Sequence, residues 1–560
     1  MSEADFSTTS AKSDSDELLT GGQLLALQLA ALDVEVVFGV PGAQLDWAID
    51  GLARSAPHIR FVHARHEQGA AYMADGYARS TGRVGVFMVV PGPGMLNATA
   101  ALSTAWACSS PVVAIVGAIP TAASGRKHGV LHEIDDPGAI LRLLTKWHGS
   151  ATSPEEVPSL VADAFHYAQS DRPRPAAIEI PADVLALLST ATIARPRRIT
   201  REAPPRDLIA NAADALRIAA DPVIIAGAGV VAADAQDELR HVAEMLNVPV
   251  VTTTNGRSAF NNNHPLATTN AVGREIFAHA DTILAVGTRF VNIKGDIVAR
   301  GAGSKLILIN VDGDDLSGDR NAEIAIRCDA RLGLAALASE LGEPLGRPSP
   351  TERLADLRGW YSAQLRKLEP LAGFVDALRG AIPGNGFVVS DLTQVGYACN
   401  AAFPVYEPRT YLTPGWQGTL GFAFPTALGV KVAHPDRAVV AVVGDGGFGF
   451  CLNELATAAA HDIALVTVCF DDGAFGNVRR SQATKFEGRF LGTTLNNPDY
   501  VKLAEAFGVA GVRAFDADDL RIKLSDALAS DRPTVITVRV GEMPSPWHLL
   551  SDQPLREPSY

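Results

Sequence analysis

The sequence predicts an α/β protein built from three doubly wound parallel-sheet domains. Short runs rich in valine and isoleucine recur along the chain, and each is followed by a glycine-rich turn and then by a segment with helical spacing. Runs that are apolar at every position are typical of strands buried on both faces, and their alternation with helices indicates parallel sheets. The chain has 560 residues, which is enough for about three or four domains.

The apolar runs fall into three groups that are separated by proline-rich segments. Proline-rich segments without periodicity predict linkers, and a polar, acidic N-terminal stretch predicts a disordered tail. The expected organisation is a tail at 1–17, a first domain at 18–188, a linker at 189–204, a central domain at 205–343, a linker at 344–369, a third domain at 370–545 and a C-terminal tail at 546–560.

Composition excludes several functional classes. The formal net charge is −14, and without a basic stripe we expect no nucleic-acid partner. We find no run of 18 uncharged apolar residues, so we expect no membrane span. The N-terminal stretch has the pattern of neither a secretory signal nor a transit peptide. The five cysteines show no CxxC spacing, which argues against a zinc or disulfide framework and favours a reducing, cytoplasmic setting.

The clearest chemical motif lies in the third domain. Residues 444–447, Gly-Asp-Gly-Gly, follow an apolar run, and the acidic residue Asp472 follows the next apolar run, 27 positions after Asp445. Carboxylates at the ends of neighbouring parallel strands converge on one crevice and suit a hard cation, while the glycines let backbone N–H groups approach a phosphate. The pattern therefore predicts a Mg²⁺–diphosphate site.

Two plainer interpretations of this motif remain open. The glycines could form only a tight strand-to-helix turn beside a solvated acidic turn, although the spacing and the two strand-end positions favour the cation site. A simple nucleotide site is less favoured, because no GxxxxGK[ST] sequence occurs and the first strand turns lack GxGxxG.

Two further segments are ambiguous on spacing alone. In RHEQGAAYMADGYAR, residues 65–79, Glu67 follows an apolar strand and precedes an Ala/Gly-rich helix. Such a glutamate could merely favour the helix start. Residues 413–422 have the composition of an irregular loop that leads into a helix.

These segments together resemble thiamine-diphosphate enzymes of the acetolactate synthase family. GDGGFGFCLNELATAAAHDIALVTVCFDDGAFG and RHEQGAA…ADGYAR match the family pattern, and the opening LLTGGQLLALQLA also resembles benzaldehyde lyase. The resemblance spans about 18–545. It implies a pyrimidine-binding first domain, a central domain and a third domain that binds diphosphate and Mg²⁺.

The resemblance also implies the residues of the site. Glu67 would be catalytic, because it would activate the cofactor through its pyrimidine ring. The Mg²⁺ ligands would be Asp445, Asp472 and the carbonyl of Ala474, although the family usually has asparagines at 471 and 472. The cofactor contacts implied are Glu67, Thr393, Gln394, Gly418, Leu420, Gly444, Gly446, Gly447, Phe475, Gly476 and Asn477.

Two residues are expected to face the substrate. Gln44 stands where benzaldehyde lyase has a histidine, and Ala43 stands where pyruvate-decarboxylase-like enzymes have an acid. His132 replaces a glutamine of acetolactate synthases and would bring a titratable group into the site. A surface-loop histidine is the alternative. We expect both Gln44 and His132 to be catalytic.

We expect the nucleotide site of the central domain to hold no ligand. Relatives use its strand ends to hold FAD or ADP, but the stretch 264–280 is shorter than in the flavin-binding synthases and lacks their glycine-histidine segment. The cofactors predicted are thus thiamine diphosphate and Mg²⁺, with FAD disfavoured.

The function implied is carboligation. A 2-oxo acid would lose CO₂ to leave an enamine, which adds to a second aldehyde or ketone carbonyl and gives a 2-hydroxy ketone. A decarboxylase that releases an aldehyde, a 2-hydroxy ketone lyase and a non-catalytic nucleotide-binding protein are the alternatives. The family geometry also implies a homodimer or homotetramer with active sites between subunits.

Overall fold

The computed structural model describes residues 18–292 and 294–550. The expected N-terminal tail, 1–17, and the end of the expected C-terminal tail, 551–560, lie outside the described residues. Within the described part of the chain, three six-stranded sheets are parallel throughout. None of the helices there is both long and apolar enough to cross a membrane.

The first sheet has the strand order β3-β2-β4-β5-β7-β6. A small antiparallel pair, β1 with β8, joins the two ends of this domain. Its elements are β1 (Leu19–Thr20), α1 (Gly21–Ala31), β2 (Val36–Gly39), α2 (Asp46–Ser55), β3 (Arg60–His63), α3 (Glu67–Thr81), β4 (Gly85–Val89), α4 (Pro93–Cys108), β5 (Val112–Ala118), α5 (Pro137–Leu144), β6 (Trp147–Ser150), α6 (Val157–Gln169), β7 (Ala176–Pro181), α7 (Ala182–Ala186) and β8 (Leu188–Ser189).

The central sheet has the strand order β11-β10-β9-β12-β13-β14. Its elements are α8 (Arg206–Ile218), β9 (Pro222–Ala226), α9 (Ala228–Ala232), α10 (Gln236–Leu246), β10 (Val250–Thr252), β11 (Ala267–Thr269), α11 (Asn270–Phe277), β12 (Thr282–Val286), β13 (Lys305–Asn310), α12 (Gly313–Leu316), β14 (Ile324–Arg327) and α13 (Ala330–Leu341). The segment expected as a second linker contains one further helix, α14 (Thr351–Arg366).

The third sheet has the strand order β16-β15-β17-β18-β20-β19. Its elements are α15 (Leu371–Ala381), β15 (Phe387–Ser390), α16 (Gln394–Ala402), β16 (Tyr411–Leu412), α17 (Ala423–Ala433), β17 (Val439–Gly444), α18 (Asp445–Phe448), α19 (Leu455–Ala460), β18 (Val466–Asp471), α20 (Gly476–Lys485), α21 (Tyr500–Ala506), β19 (Ala510–Ala514), α22 (Ala517–Ala529), β20 (Thr534–Arg539) and α23 (Trp547–Leu550).

The first and third domains meet where α3 crosses α17 at backbone contact. A Cβ atom on Gly429 would lie 2.6 Å from the carbonyl carbon of Met73 and 2.7 Å from its Cα. A Cβ on Gly76 would likewise overlap the carbonyl oxygen of Thr426. Glycine removes the side-chain layer that normally keeps helices 8–10 Å apart. The two helices therefore hold their domains at a fixed, short separation.

Candidate active site

Three neighbouring strands of the third sheet end in acidic residues. Asp391 follows β15, Asp445 follows β17, and Asp471 is the last residue of β18. Since β17 lies between β15 and β18, the three carboxyl groups line one edge of the sheet. The crevice at the carboxyl ends of parallel strands is where ligands of open α/β sheets bind.

The glycine turn 444–447 is packed too closely for side chains. A Cβ atom on Gly446 would lie 2.9 Å from the ring of Phe475, and one on Gly447 would lie 2.7 Å from Asp391 Oδ2. Without side chains, the backbone N–H groups of this turn are free to approach an anion. The predicted diphosphate turn therefore has the shape of a cradle, formed by 444–447 and 471–476.

Asn497 draws two of the strand-end carboxylates together. Its Nδ2 donates to Asp445 Oδ2 at 2.6 Å and to Asp471 Oδ1 at 2.8 Å. The N–H of Gly473 donates to the same two oxygens at 2.9 and 3.2 Å. Arg539 pairs with Asp471 Oδ2 at 2.7 Å. Asp471 thus has both carboxylate oxygens engaged within the protein.

Asp445 and Asp472 perturb each other. Burial raises the pKa of Asp445 to about 6, the Asn497 hydrogen bond opposes the rise, and the charge of Asp472 adds to it. Burial also raises the pKa of Asp472, against the hydrogen bond from the Ala474 N–H, which lies 3.0 Å from Asp472 Oδ1. Two neighbouring carboxyl groups whose ionised forms are disfavoured by burial gain from a cation placed between them.

Three further predicted cofactor residues border the cradle. A Cβ on Gly444 would lie 3.0 Å from Thr393 Oγ1, so the threonine packs directly on the turn. Gln394 Nε2 lies 3.3 Å from the Cβ position of Gly476, and that position also overlaps Asp472 Oδ2. Thr393, Gln394 and Gly476 are therefore brought together with the acidic residues.

The C-terminal segment closes one side of this edge. Trp547 Nε1 donates to Asn477 Oδ1 at 2.9 Å, and the Trp547 ring packs on Tyr397 with centroids 4.6 Å apart. Arg480 donates to Gln394 Oε1 at 2.8 Å. Two of the predicted cofactor residues, Asn477 and Gln394, thus already have partners within the protein.

The 413–422 loop connects β16 to α17 in the third domain and contacts the first domain. Gly418 adopts a left-handed φ of 64°, a conformation that favours glycine, and Leu420 is half-buried in the same loop. Thr419 Oγ1 accepts a hydrogen bond of 2.9 Å from Tyr72 in α3. The loop that the sequence assigns to the cofactor is therefore fixed against the helix that begins at Glu67.

Glu67 is the first residue of α3 and is held within its own domain. Its Oε2 accepts a hydrogen bond of 2.9 Å from Asn97 Nδ2. Its Oε1 lies 3.4 Å from the Cβ position of Gly94. A carboxylate at a helix start is stabilised by the helix dipole.

Gln44 and His132 form a pair on the same side of the first domain. His132 Nδ1 lies 3.0 Å from Gln44 Oε1, and Gln44 Nε2 donates to the carbonyl of Leu131 at 3.2 Å. The His132 carbonyl lies 2.5 Å from the Cβ position of Gly92. Since Gly92 and Gly94 belong to one turn, the two predicted substrate residues and Glu67 line the same region.

Glu454 of the third domain contacts the backbone just before Glu67. It is 1 % exposed, and both of its carboxylate oxygens accept from the Arg65 N–H, at 3.2 and 3.1 Å. Thr457 Oγ1 donates to it at 2.6 Å. Sequence reasoning missed this residue and also Asn497, because neither follows an apolar run. Asp391 does follow one, and the signal used for Asp445 could have found it.

A separate cavity of about 500 Å³ lies at the carboxyl ends of the central strands. It is lined by Gly227, Gly287 and Asn310, which lie at the ends of β9, β12 and β13, and it reaches Trp416 of the 413–422 loop. Arg289 stacks on the Trp416 ring at 4.7 Å. Its size is in the range of small-molecule sites.

Protein-family models match all three domains. Residues 19–139 match the N-terminal TPP binding domain of thiamine pyrophosphate enzymes, 209–337 match their central domain, and 391–538 match their C-terminal TPP binding domain. The chain belongs to the thiamine pyrophosphate enzyme family. Membership confirms that it is an enzyme that uses thiamine diphosphate, and the three parallel sheets confirm the predicted fold class.

Similar thiamine pyrophosphate enzymes include both decarboxylases and synthases. A probable 2-ketoarginine decarboxylase of Pseudomonas aeruginosa is 35 % identical over 93 % of this chain and 94 % of its own length. An acetolactate synthase of Mycobacterium avium is 34 % identical and an acetolactate synthase large subunit of Corynebacterium glutamicum 33 %, each over 96 % of this chain and 90 % of its own length. The predicted resemblance to acetolactate synthases is therefore confirmed.

Proposed function

We propose that the chain is a Mg²⁺-dependent carboligase that decarboxylates a 2-oxo acid and joins the remaining fragment to an aldehyde or ketone. The observation that carries this proposal is the pair Gln44–His132 beside Glu67. Position 43 is an alanine, so the strand turn carries no acid to protonate the fragment and release it as an aldehyde.

The cradle fits thiamine diphosphate and a divalent cation. Gly446 and Gly447 leave room that any Cβ atom would fill, and Asp445 and Asp472 would hold Mg²⁺ together with the carbonyl of Ala474. The described residues contain no cluster of three or more Asp, Glu, His or Cys side chains placed to bind a metal. The remaining ligands of Mg²⁺ would therefore be oxygens of the backbone, the diphosphate and water.

When bound, thiamine diphosphate stabilises the carbanion that remains after CO₂ leaves a 2-oxo acid. Glu67 would share a proton with a pyrimidine nitrogen of the cofactor. Since Asn97 occupies Oε2, the free oxygen for this proton is Oε1. The Gly418 carbonyl and Leu420 would shape the middle of the cofactor site.

Gln44 sets the tautomer of His132. The Gln44 amide donates to the Leu131 carbonyl, so its oxygen faces His132 Nδ1, and Nδ1 of the neutral ring carries the proton. His132 Nε2 is then the atom that accepts or returns a proton at a substrate oxygen.

Simple decarboxylation is the second candidate function, and the similarity to a probable 2-ketoarginine decarboxylase favours it. Purified protein with thiamine diphosphate and Mg²⁺ should be incubated with a panel of 2-oxo acids, each with and without an added aldehyde. Carboligation predicts 2-hydroxy ketone in step with CO₂ release. An aldehyde formed in step with CO₂, with no ketone, would replace our proposal with the decarboxylase.

The active sites would lie between two subunits. In support, Leu96 beside Asn97 is 42 % exposed and Phe450 beside the glycine turn is 57 % exposed, so both halves of the site are flanked by apolar surface. A mixture of Glu67→Gln and Asp445→Ala chains, refolded or exchanged together, should regain activity, because a hybrid dimer would have one site with both residues intact. Mixtures that stay inactive although hybrids form would rule out shared sites.

The central cavity would carry no FAD. The shortened 264–280 segment supports this part of the proposal.

The chain would work in a reducing, cytoplasmic setting. All five cysteines are free and buried, which supports this setting.

A further inference from the structure

Asp391 is a buried acid that the proposed chemistry does not use. It is 2 % exposed, and burial raises its pKa to about 6. The groups that lower its pKa are backbone N–H groups, those of Leu392, Gly421 and Ala423. Among the described residues its Oδ2 has no hydrogen-bond partner. A buried carboxylate with an unpaired oxygen is unfavourable for folding, so its presence requires a structural or functional reason.

The position of Asp391 explains what it does. Its Oδ1 accepts from the Leu392 N–H at 3.0 Å, and its Oδ2 lies 2.7 Å from the Cβ position of Gly447. The N–H groups of Gly421 and Ala423 lower the pKa of this carboxyl group, and the Gly421 nitrogen lies 3.6 Å from the same Cβ position of Gly447. Asp391 thus lies between the glycine turn and the end of the 413–422 loop.

The same contacts extend to the first domain. Gly421 and Ala423 mark the end of the loop and the start of α17, where a negative charge is favourable. Helix α17 crosses α3 at backbone contact, and α3 begins at Glu67. Asp391 therefore lies behind the 413–422 loop and α17, and α17 in turn contacts the helix that carries Glu67.

We propose that Asp391 is a positioning residue that fixes the 413–422 loop and the start of α17 on the glycine turn. It acts from behind the loop, while Gly418 and Leu420 form the front that the proposed function assigns to the cofactor. The inference rests on that function only for its effect on cofactor binding; the fixing of the loop is independent of it.

The test compares Asp391→Ala and Asp391→Asn with a control of similar destabilisation, Leu524→Ala. Leu524 is buried in α22 of the same domain, and α22 packs on α15, β18, β19 and β20. Hydrogen–deuterium exchange of a peptide covering 413–424 is measured on full-length protein without cofactor. We expect exchange at least about tenfold faster in Asp391→Ala, a smaller increase in Asp391→Asn, and a rate within about twofold of wild type in Leu524→Ala.

Calorimetric titration with thiamine diphosphate at saturating Mg²⁺ is the second readout. We expect the Kd to rise at least about tenfold in Asp391→Ala and to recover in part in Asp391→Asn, while Leu524→Ala binds like wild type. Unchanged exchange in both Asp391 variants, or equal effects in Leu524→Ala, would overturn the proposal. Faster exchange with an unchanged Kd would overturn its link to the cofactor. A wild-type protein that binds no thiamine diphosphate would instead refute the proposed function, and the exchange comparison would still decide the role of Asp391.

Discussion

Gly429→Ala tests whether the contact between α3 and α17 sets the geometry of the site. The new Cβ would lie 2.6 Å from the Met73 carbonyl carbon, whereas carbon atoms in contact prefer about 3.5 Å or more. The helices must therefore separate by about 1 Å. Overpacking of this kind costs about 1–3 kcal/mol, and the higher helix propensity of alanine returns about 1 kcal/mol at most.

The net cost is therefore between about zero and 3 kcal/mol, and we expect the apparent unfolding temperature to fall by at most a few degrees. We expect kcat to fall by about a hundredfold, because a 1 Å displacement of a catalytic group has an effect of that size. Scanning calorimetry and steady-state turnover measure the two effects. Gly359→Ala is the matched control. Gly359 is also inside a helix, α14, but no atom lies within 4 Å of its Cβ position, so alanine there should stabilise the protein slightly. A Gly429→Ala protein with wild-type stability and turnover would show that the helix contact is not rigid.

Four further predictions concern the cofactors. Glu67→Gln should abolish turnover yet leave thiamine diphosphate bound, since the diphosphate contacts are in another domain; a near-wild-type rate would contradict its catalytic role. Asp445→Ala should weaken thiamine diphosphate binding itself in calorimetric titration, and an unchanged affinity would place the metal site elsewhere. Asp472→Asn should stay active but bind Mg²⁺ more weakly at fixed cofactor, because the Oδ1 that accepts from Ala474 is kept while a charge is lost; tighter Mg²⁺ binding would show that repulsion from the diphosphate dominates. Purified protein should be colourless, and a stoichiometric flavin absorbance band would contradict the absence of FAD.

Periodicity predicted the parts of the fold that are buried on both faces. The strand that ends at Gly444 and the one that ends at Asp471 could be read directly, because apolar runs and the glycines after them are local features. Helix α14 was missed, since prolines before Thr351 resemble a linker. The helix is held by buried Leu354, Leu357 and Tyr361, contacts with other elements that local composition does not encode.

The site residues also fall into two groups, those that the local sequence predicts and those that only tertiary contacts bring to the site. Asp445, Asp472 and the glycine turn follow from strand-end position, and Glu67 from its family segment. Asn497 could not be predicted, because it lies in irregular chain after α20 and reaches Asp445 only through tertiary folding. Glu454 is similar: its partner, the Arg65 N–H, lies 389 positions away in sequence. Contacts between loops and distant backbone groups produce no periodic pattern in the sequence, so periodicity cannot predict them.

The ion pair between Arg539 and Asp471 has a consequence for how this site could diverge from its relatives. Arg539 is directly opposite Asp471 on the adjacent strand β20, so its positive charge cancels the one that aspartate adds where an asparagine is usual. A bound cation and diphosphate would then face the charges of Asp445 and Asp472 without an added charge from Asp471. Positions 471 and 539 are in this sense coupled: either residue changed by itself would leave the charge of the other without its ion-pair partner at the edge of the cradle.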